Sequence, residues 1–397
     1  MGLTFDKSSI EEIYGSTFAH GNTVSLLYKG RESFQAIFSS IEKAQSLIAL
    51  QFYIFRNDET GIELADLLRK KAKEGVKVFI LYDHFGSLWT PKSFWNDLAS
   101  SGVNIRASRP FIWSSPFHYT RRDHRKLIII DGIKAITGGF NIGNEYRGFH
   151  IRHKRRPWRD TGIILEGPVV SELFKTLRMT WEAMGGKPIS LPAPLPAILI
   201  NPTSQYQYND THQSNGLYAI PIFASSARGR RKFRKLLYYS INHAKDNILI
   251  TTAYFIPTIR MLYTLEKAVS RGGTVKLLLS GKSDVPPAHY AGRAFFSWLL
   301  KRGIRIYNYH GEILHAKSYV FDGCCSIVGS ANLDFLSLRR NDEGNVGILD
   351  EEFGKRMICV FEEDLESSIE IKEEEWGKRP LSERMKERFF VLFKRKL

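Results

Sequence analysis

Apolar residues recur with two different periods along the first part of the chain, and these periods predict alternating helices and strands. Residues 33–45 and 61–75 place apolar side chains three and four positions apart, the spacing of a helix with one buried face. Residues 47–55 and 76–83 are short apolar runs typical of buried strands. Gly75 is expected to cap the second helix. This order predicts parallel strands in an α/β fold.

The same order of elements returns in the second part of the chain. Residues 232–246 and 259–273 have helical periodicity, whereas residues 247–257 and 274–280 are predicted as buried strands. A repeat that occupies half of the chain favours two similar domains over a solenoid of short units. We therefore predict two similar α/β domains related by pseudo-twofold symmetry, each with a mixed, largely parallel sheet flanked by helices.

A proline-rich stretch separates the two repeats. Residues 187–215 contain five prolines and many small polar residues, and mostly lack the period of a helix or strand. This predicts a first domain over residues 1–186, a linker over 187–215 and a second domain over 216–397. No segment has the roughly 18 uninterrupted apolar residues of a membrane span, and residues 1–20 lack the apolar run of a signal peptide.

The charge of the chain indicates what it binds. Among 397 residues, 57 Lys and Arg against 41 Asp and Glu give a net charge of +16. This balance either serves solubility or favours a polyanionic partner, namely nucleic acid, an anionic membrane surface or a phosphorylated substrate. A hydrophobic content of 43% excludes a disordered, collagenous or coiled-coil chain. Three cysteines without a CxxC pair predict neither a disulfide framework nor a structural zinc site.

Two copies of one motif stand at matching positions in the two repeats. Each copy has a lysine two positions and an aspartate seven positions after a histidine: His124, Lys126 and Asp131, then His315, Lys317 and Asp322. A glycine follows fourteen positions after each histidine and an asparagine seventeen positions after it, and these asparagines are Asn141 and Asn332. Five identities at fixed offsets, found twice, exclude coincidence.

The spacing of the motif has a chemical meaning. Residues two positions apart in a strand point to the same face, so each histidine lies beside its lysine. A pocket made from both copies would hold two imidazoles, two ammonium groups and two amides, which suits a phosphodiester. The lysines and amides would bind the non-bridging oxygens, one neutral histidine would attack phosphorus, and the other, protonated, would protonate the leaving alkoxide. Asp131 and Asp322 complete this catalytic set, although we expect them to support the fold near the site rather than react.

The paired HxKxxxxD motifs, each followed by Gly-Gly or Gly-Ser and then Asn, resemble those of the phospholipase D superfamily. A closer resemblance, to bacterial cardiolipin synthases of the shorter kind without amino-terminal membrane spans, is carried by HRKLIIIDGIKAITGGFNIG, WRDTGIILEGPVV, LHAKSYVFDG and VGSANLDFLSLRRNDE. The resemblance covers nearly the whole chain. It implies a phosphohistidine intermediate, with His124 as the nucleophile and His315 as the general acid and then the base.

The resemblance also implies which carboxylates orient the histidines. Asp160 in WRDT and Glu343 in RRNDE lie where the family places them. A carboxylate on one ring nitrogen fixes the tautomer and raises the basicity of the imidazole. Leu336 departs from the family, which often has arginine there, and this bears on local acceptor or phosphate contacts more than on the chemistry. Neither a metal nor a cofactor is expected, because the lysines supply the positive charge.

Two further basic segments are candidates for contact with anionic lipid. Residues 147–159 hold six bases and no acid, and form either a solvated loop or an anion-facing rim of the site. Residues 384–397 form either a basic amphipathic helix that lies on an anionic bilayer or a terminal helix packed on the second domain.

The predicted function is phosphatidyl transfer. One phosphatidylglycerol would give its phosphatidyl group to His124 and release glycerol, and a second would attack through its free hydroxyl to give cardiolipin. The alternatives are a phospholipase D-type hydrolase, a phospholipase D-family nuclease, for which no dedicated nucleic-acid module is seen, and a non-catalytic binder of anionic lipid. The expected location is peripheral, on the cytoplasmic face of the bacterial inner membrane.

Overall fold

The structure is a computed structural model that describes residues 5–111, 113, 121–148, 156–190 and 216–397. Its described residues form one continuous fifteen-stranded mixed sheet with helices packed against it. The α/β class predicted from the sequence is confirmed. None of the helices in these ranges is long and apolar enough to cross a bilayer.

The first half contributes strands β1 to β7 and helices α1 to α6. In chain order these are α1 (Lys7–Tyr14), β1 (Ala19–Leu27), α2 (Gly30–Glu42), β2 (Leu47–Phe52), α3 (Glu59–Lys73), β3 (Lys77–Asp83), α4 (Lys92–Ser100), β4 (Asn104–Ser108), β5 (Leu127–Ile130), β6 (Lys134–Gly138), α5 (Asn144–Arg147), β7 (Gly162–Glu166) and α6 (Val169–Ala183).

The second half contributes strands β8 to β15 and helices α7 to α14. In chain order these are β8 (Leu217–Phe223), α7 (Ala227–His243), β9 (Asn247–Thr252), α8 (Ile259–Ser270), β10 (Thr274–Ser280), α9 (Pro286–Arg293), α10 (Phe296–Leu300), β11 (Arg305–Tyr309), β12 (Lys317–Phe321), β13 (Cys325–Gly329), α11 (Phe335–Arg339), β14 (Gly344–Leu349), α12 (Glu351–Glu366), β15 (Ser368–Ile371), α13 (Glu373–Gly377) and α14 (Leu381–Val391).

The strand order repeats itself outward from the centre of the sheet. The two halves meet at an antiparallel pair, β1 and β8. From β1 the order continues β7-β6-β5-β2-β3-β4, and from β8 it continues β14-β13-β12-β9-β10-β11, with β15 added at that edge. This is the pseudo-twofold arrangement predicted from the repeated motif, but the two halves share one sheet instead of having one each.

The pairing is less parallel than predicted. Among the described strands, parallel pairs are confined to β2-β3-β4 and β9-β10-β11. Each motif strand instead starts a hairpin, β5 with β6 and β12 with β13, and lies antiparallel to the strand on its other side. Asp131 and Asp322, each followed by glycine, adopt positive φ angles of 51° and 49°, which suit the tight turn in each three-residue hairpin connection, 131–133 and 322–324.

The predicted elements of each repeat are present with shifted ends. Strand β2 stops at Phe52, three residues earlier than predicted, because residues 53–55 leave the sheet beside the motif histidine. Gly75 has a φ of +89° directly after helix α3, which confirms the predicted C-terminal glycine.

The hydrophobic cores tie the two halves together. Helices α6 and α12 pack on one face of the sheet over strands of both halves and share one core. The N-terminal residues, including helix α1, pack on the second half. There the ring centroids of Phe5 and Phe321 lie 6.2 Å apart, and the backbone N–H of Phe223 donates to the Tyr14 hydroxyl at 2.6 Å. Most of the predicted linker, residues 191–215, lies outside the described residues, and the domain limits remain a prediction.

Candidate active site

The motif residues come together at one edge of the sheet. Strand β5 is antiparallel to β2, so β5 begins beside the carboxyl end of β2. In the same way β12 is antiparallel to β9 and begins beside the carboxyl end of β9. The segment before β5 runs beside the segment before β14, with a bridge between Asp123 and Asp342. The segment before β12 runs beside the segment before β7, with a bridge between Arg159 and Leu314. These two bridges join the halves at the site.

Each histidine is held by a carboxylate from the opposite half. His124 Nδ1 lies 3.0 Å from Glu343 Oε2, and His315 Nδ1 lies 2.7 Å from Asp160 Oδ2. Backbone hydrogen bonds also connect the two halves here: the His124 N–H donates to the Asp342 carbonyl, and the His315 N–H donates to the Arg159 carbonyl. A carboxylate that accepts Nδ1–H leaves the lone pair on Nε2, where it can attack an electrophile or accept a proton.

The motif lysines are buried beside the histidines. Lys126 Nζ donates to the His124 carbonyl at 2.7 Å, and Lys317 Nζ donates to the His315 carbonyl. Burial, followed by the charge of Lys317, lowers the pKa of Lys126 to about 7, and burial lowers the pKa of Lys317 to about 8. For both lysines the cost of burial outweighs the attraction of nearby carboxylates such as Glu343 and Asp160, so the pocket favours a bound anion.

The pKa of each imidazole is lowered from the ordinary histidine value, which favours the neutral form at pH 7. Burial and the charge of Lys126 lower the pKa of His124, against the opposing effect of Glu343. Burial and the charge of Lys317 lower the pKa of His315 to about 4, against the opposing effect of Asp160. A histidine that acts as a general acid here must therefore gain its proton when the negatively charged substrate binds.

We expect anion binding to weaken as the pH rises from 6 to 9. Lys126 and Lys317 lose their charge as the pH passes their lowered pKa values of about 7 and 8. The measurement is the inhibition constant of dimethyl phosphate, which stays a monoanion throughout this range, and we expect it to rise by at least about tenfold. The Lys126→Arg variant keeps its charge and should lose the lower of the two steps. A flat profile in the wild-type protein would contradict this assignment.

The predicted asparagines lie next to the site with their amides engaged. Asn141 accepts from the backbone N–H of Ile54 at 3.0 Å and donates to the Tyr146 hydroxyl at 2.7 Å. Asn332 accepts from the Thr252 hydroxyl at 3.2 Å. Both side chains tie the turn after a motif hairpin to the loop that follows β2 or β9. Their contact with phosphate remains a prediction.

The structure does not bring Asp131 and Asp322 to the histidines. Each lies at the far end of its motif strand, seven residues or about 23 Å of extended chain from the histidine. Asp131 accepts three backbone N–H groups, from residues 45–47, and Asp322 accepts three from residues 245–247. They fix the start of β2 and β9, a fold-supporting role of the kind expected from the sequence, and a part in catalysis stays a prediction.

Ion pairs that were not predicted from the sequence hold the two orienting carboxylates in place. Asp342, next to Glu343, accepts from three arginines: Arg109, Arg121 and Arg230. Arg159, next to Asp160, forms a two-bond pair with Asp364 at 2.7 and 2.8 Å. In the sequence, the only signal for these pairs is that Asp342 and Arg159 directly precede the predicted carboxylates.

The first basic segment is only partly described. Residues 149–155 lie outside the described residues. Of the bases on either side, Arg147 pairs with Glu63 and Arg159 is buried against Asp364. These two bases support the fold, and an anion-facing rim in the rest of the segment remains a prediction.

Gly139 leaves room for the Asp160 carboxylate. A side-chain carbon added to Gly139 would collide with that carboxylate, whereas the equivalent Ser330 fits and donates a hydrogen bond to Glu343. We expect Gly139→Ala to displace Asp160 and lower kcat by roughly 10- to 100-fold, since small misplacements of catalytic groups have effects of this size. Gly377→Ala is the matched control, because a side-chain carbon there would meet no atom within 4 Å. Steady-state kinetics on both variants is the measurement, and equal kcat values would contradict the role of Gly139.

Comparison with known proteins identifies the family. The family model described as "Cardiolipin synthase, PLD-like domain" matches residues 37–171 and 237–365, one match around each motif. The chain belongs to the cardiolipin synthase family of the phospholipase D superfamily. It is 35% identical over 376 residues to the major cardiolipin synthase ClsA of Bacillus subtilis strain 168, which covers 94% of this chain and 75% of the relative. It is therefore a phospholipase D-superfamily phosphatidyltransferase.

Other relatives agree with this assignment. Cardiolipin synthase A of Pseudomonas putida KT2440 is 33% identical over 355 residues, covering 89% of this chain and 70% of the relative. The crystal structure of phosphatidylserine synthase from Haemophilus influenzae Rd KW20 is only 14% identical but superimposes with a TM-score of 0.69 over 98% of this chain and 100% of that chain. That structure shows that the fold is shared.

Proposed function

We propose that the protein makes cardiolipin and glycerol from two molecules of phosphatidylglycerol. The observation that carries the proposal is the exchange of carboxylates between the halves, which orients His124 and His315 in one buried pocket that also holds Lys126 and Lys317. The relatives are named as cardiolipin synthases, and this supports the choice of substrate and product.

The first step transfers the phosphatidyl group to the protein. Nε2 of His124 attacks phosphorus and forms an N–P bond as the P–O bond to the departing glycerol breaks. His315 gives its proton to that glycerol oxygen, and Lys126 and Lys317 stabilise the negative charge on the non-bridging oxygens. His315 takes this proton from solvent as the substrate binds, because the negative charge of the phosphodiester raises the pKa that burial and Lys317 depress.

The second step releases the product. His315, now neutral, takes the proton from the free hydroxyl of a second phosphatidylglycerol. The resulting oxygen attacks phosphorus, the N–P bond breaks, and His124 returns to its neutral form. One proton therefore moves from His315 to glycerol and is replaced by one from the acceptor, so the two transfer steps together consume no net acid or base.

Lipid analysis by mass spectrometry tests the reaction. We expect the purified protein to convert phosphatidylglycerol vesicles into cardiolipin with an equal amount of glycerol, and the His124→Ala variant to form neither. Phosphatidic acid as the only product would make the protein a hydrolase. Adding phosphatidylethanolamine and measuring released ethanolamine tests whether this lipid can also donate a phosphatidyl group. Cleavage of plasmid DNA by the protein would support the nuclease alternative instead.

We expect the activity to be unaffected by metal chelation. The two buried lysines supply positive charge at the phosphate, which is the electrostatic contribution that a metal ion makes in other phosphodiesterases. The measurement is the rate of cardiolipin formation with and without EDTA, on vesicles whose aggregation state is followed by light scattering. A loss of activity that a divalent ion restores, without a change in the vesicles, would contradict this expectation.

The proposed location follows from the substrate. We propose that the protein works peripherally on the cytoplasmic face of the bacterial inner membrane, bound to anionic phospholipid. The net charge of +16 supports an anionic surface as the partner.

A further inference from the structure

Each half of the protein exposes one group of large apolar side chains near the carboxyl ends of the strands that hold the active site. The first, which we call the loop patch, comes from the loops after β3 and β4. The second, which we call the helix patch, lies on the C-terminal helix α14 and the residues that follow it. Their members are Phe85, Leu88, Trp89, Phe111 and Trp113 in the loop patch, and Leu381, Met385, Phe389, Leu392 and Phe393 in the helix patch.

The loop patch stands beside the first motif. Strands β3 and β4 are parallel to β2, so the loops that follow them leave from the same edge as the site. The Arg122 guanidinium lies 4.3 Å from the centre of the Phe85 ring, two residues before His124. Trp89 is 85% exposed and Trp113 is 88% exposed. Tryptophans are seldom so exposed on soluble surfaces and are enriched where a protein meets the lipid headgroups.

The helix patch is held beside the second motif. Helix α14 packs on α9 through a stacked pair of rings, Phe390 and Tyr290, and through Glu387, which bonds Arg293 at 3.1 Å. Helix α9 follows β10 at the active-site edge, and just before it Asp284 accepts from the Tyr254 hydroxyl at 2.7 Å. The terminal helix is thus packed on the second half, as one of the two sequence-based alternatives predicted.

The opposite face of that helix has no protein against it in the described structure. At 100° per residue, the five members of the helix patch fall within an arc of about 120°. Each of them is at least 43% exposed. The helix therefore buries one face on the protein and presents a second, apolar face outward.

The charges around the helix patch select an anionic partner. Six bases lie on or after the helix: Arg384, Lys386, Arg388, Lys394, Arg395 and Lys396. The two acids of the same stretch are already paired, Glu383 with Lys386 and Glu387 with Arg379. An apolar arc bordered by bases is the arrangement of a helix that lies in the interface of an anionic bilayer.

We propose that the loop patch and the helix patch insert together into the headgroup region of an anionic phospholipid bilayer, so that the mouth of the site faces the lipid. This orientation lets a phosphatidylglycerol headgroup reach the two histidines while its acyl chains stay in the membrane. The proposal rests on the proposed function for the identity of the substrate, but not for the binding itself.

Vesicle binding by matched variants tests the proposal. Sedimentation with phosphatidylglycerol vesicles should show about tenfold weaker binding for Trp89→Ser and for Phe389→Ser, and a larger loss when both are combined. Met179→Ser on α6 and Ile133→Ser in the β5–β6 turn remove apolar side chains that are exposed elsewhere, 60% and 42% respectively, and should bind like wild type. Wild-type binding should be weaker on phosphatidylcholine and should fall with added salt.

Two further readouts separate binding from chemistry and from misfolding. On dihexanoyl phosphatidylglycerol below its micelle concentration, Trp89→Ser and Phe389→Ser should keep wild-type rates, whereas on vesicles they should lose activity. In the wild-type protein, lipids brominated on the acyl chains should quench tryptophan fluorescence, and Trp89→Phe should reduce the quenched fraction.

Three results would overturn the proposal: patch variants that bind vesicles like wild type, control variants that lose as much binding, or no quenching by brominated lipid. A wild-type protein that binds vesicles in the predicted way but converts neither substrate would refute the proposed function and leave the docking surface supported.

Discussion

His124→Ala and His315→Ala are each expected to lower the rate of cardiolipin formation by at least about 1,000-fold. His315 is buried and His124 is partly buried in the same pocket, each with Nδ1 on a carboxylate. The proposed cycle uses one as the nucleophile and the other to move the proton in both steps. Losing either function blocks both half-reactions, so the double variant should be little worse than either single variant.

The control for these variants is a histidine of the same protein outside the site. His243 is exposed on helix α7 and lies 2.9 Å from the Tyr239 carbonyl of its own helix. His243→Ala should keep wild-type kcat and vesicle binding. More than a few per cent of wild-type activity in His124→Ala or His315→Ala would contradict the proposed roles.

Asp160→Asn and Glu343→Gln are expected to lower kcat by about 100- to 10,000-fold with little change in vesicle binding. The amides keep the shape of the side chains but not the charge that fixes the Nδ1–H tautomer and stabilises the imidazolium. Because the carboxylates are exchanged between the halves, each variant should disable the histidine of the other half: Asp160→Asn acts on His315, and Glu343→Gln acts on His124.

A double-mutant comparison distinguishes this exchange from a general loss of structure. Asp160→Asn should cost almost nothing further in a His315→Ala background, yet retain an additional effect on any residual activity of His124→Ala. Glu172→Gln, an exposed carboxylate on helix α6, should leave kcat unchanged. Equal additional losses in both histidine backgrounds would contradict the pairing.

The sequence predicted the chemical groups of the site better than their arrangement. The spacing within the motif was enough to predict each lysine beside its histidine, because residues two positions apart in extended chain point to the same side. The same geometry puts Asp131 and Asp322 at the far ends of their strands, where they support the fold but do not reach the histidines. Family resemblance supplied Asp160 and Glu343, and the structure adds that each crosses to the other half.

The features that were not predicted depend on contacts between residues far apart in the chain. Glu343 lies 219 residues from His124, and no local pattern encodes that approach. The single shared sheet results from pairing between β1 and β8, which no motif marks. The cluster of three arginines on Asp342 draws on residues from both halves, so its members look like ordinary basic positions in the sequence.

The most direct test of the mechanism is the intact mass of each histidine variant after mixing with a phosphatidyl analogue that carries a nitrophenol leaving group. Such a leaving group needs little protonation, so His124 should still attack in the His315→Ala variant, and the adduct should accumulate because nothing activates the second alcohol. The sample is kept at neutral or alkaline pH, since phosphohistidine is labile to acid. We expect one phosphatidyl group on His315→Ala and none on His124→Ala. An adduct on His124→Ala alone would contradict the proposed mechanism, because it would make His315 the nucleophile.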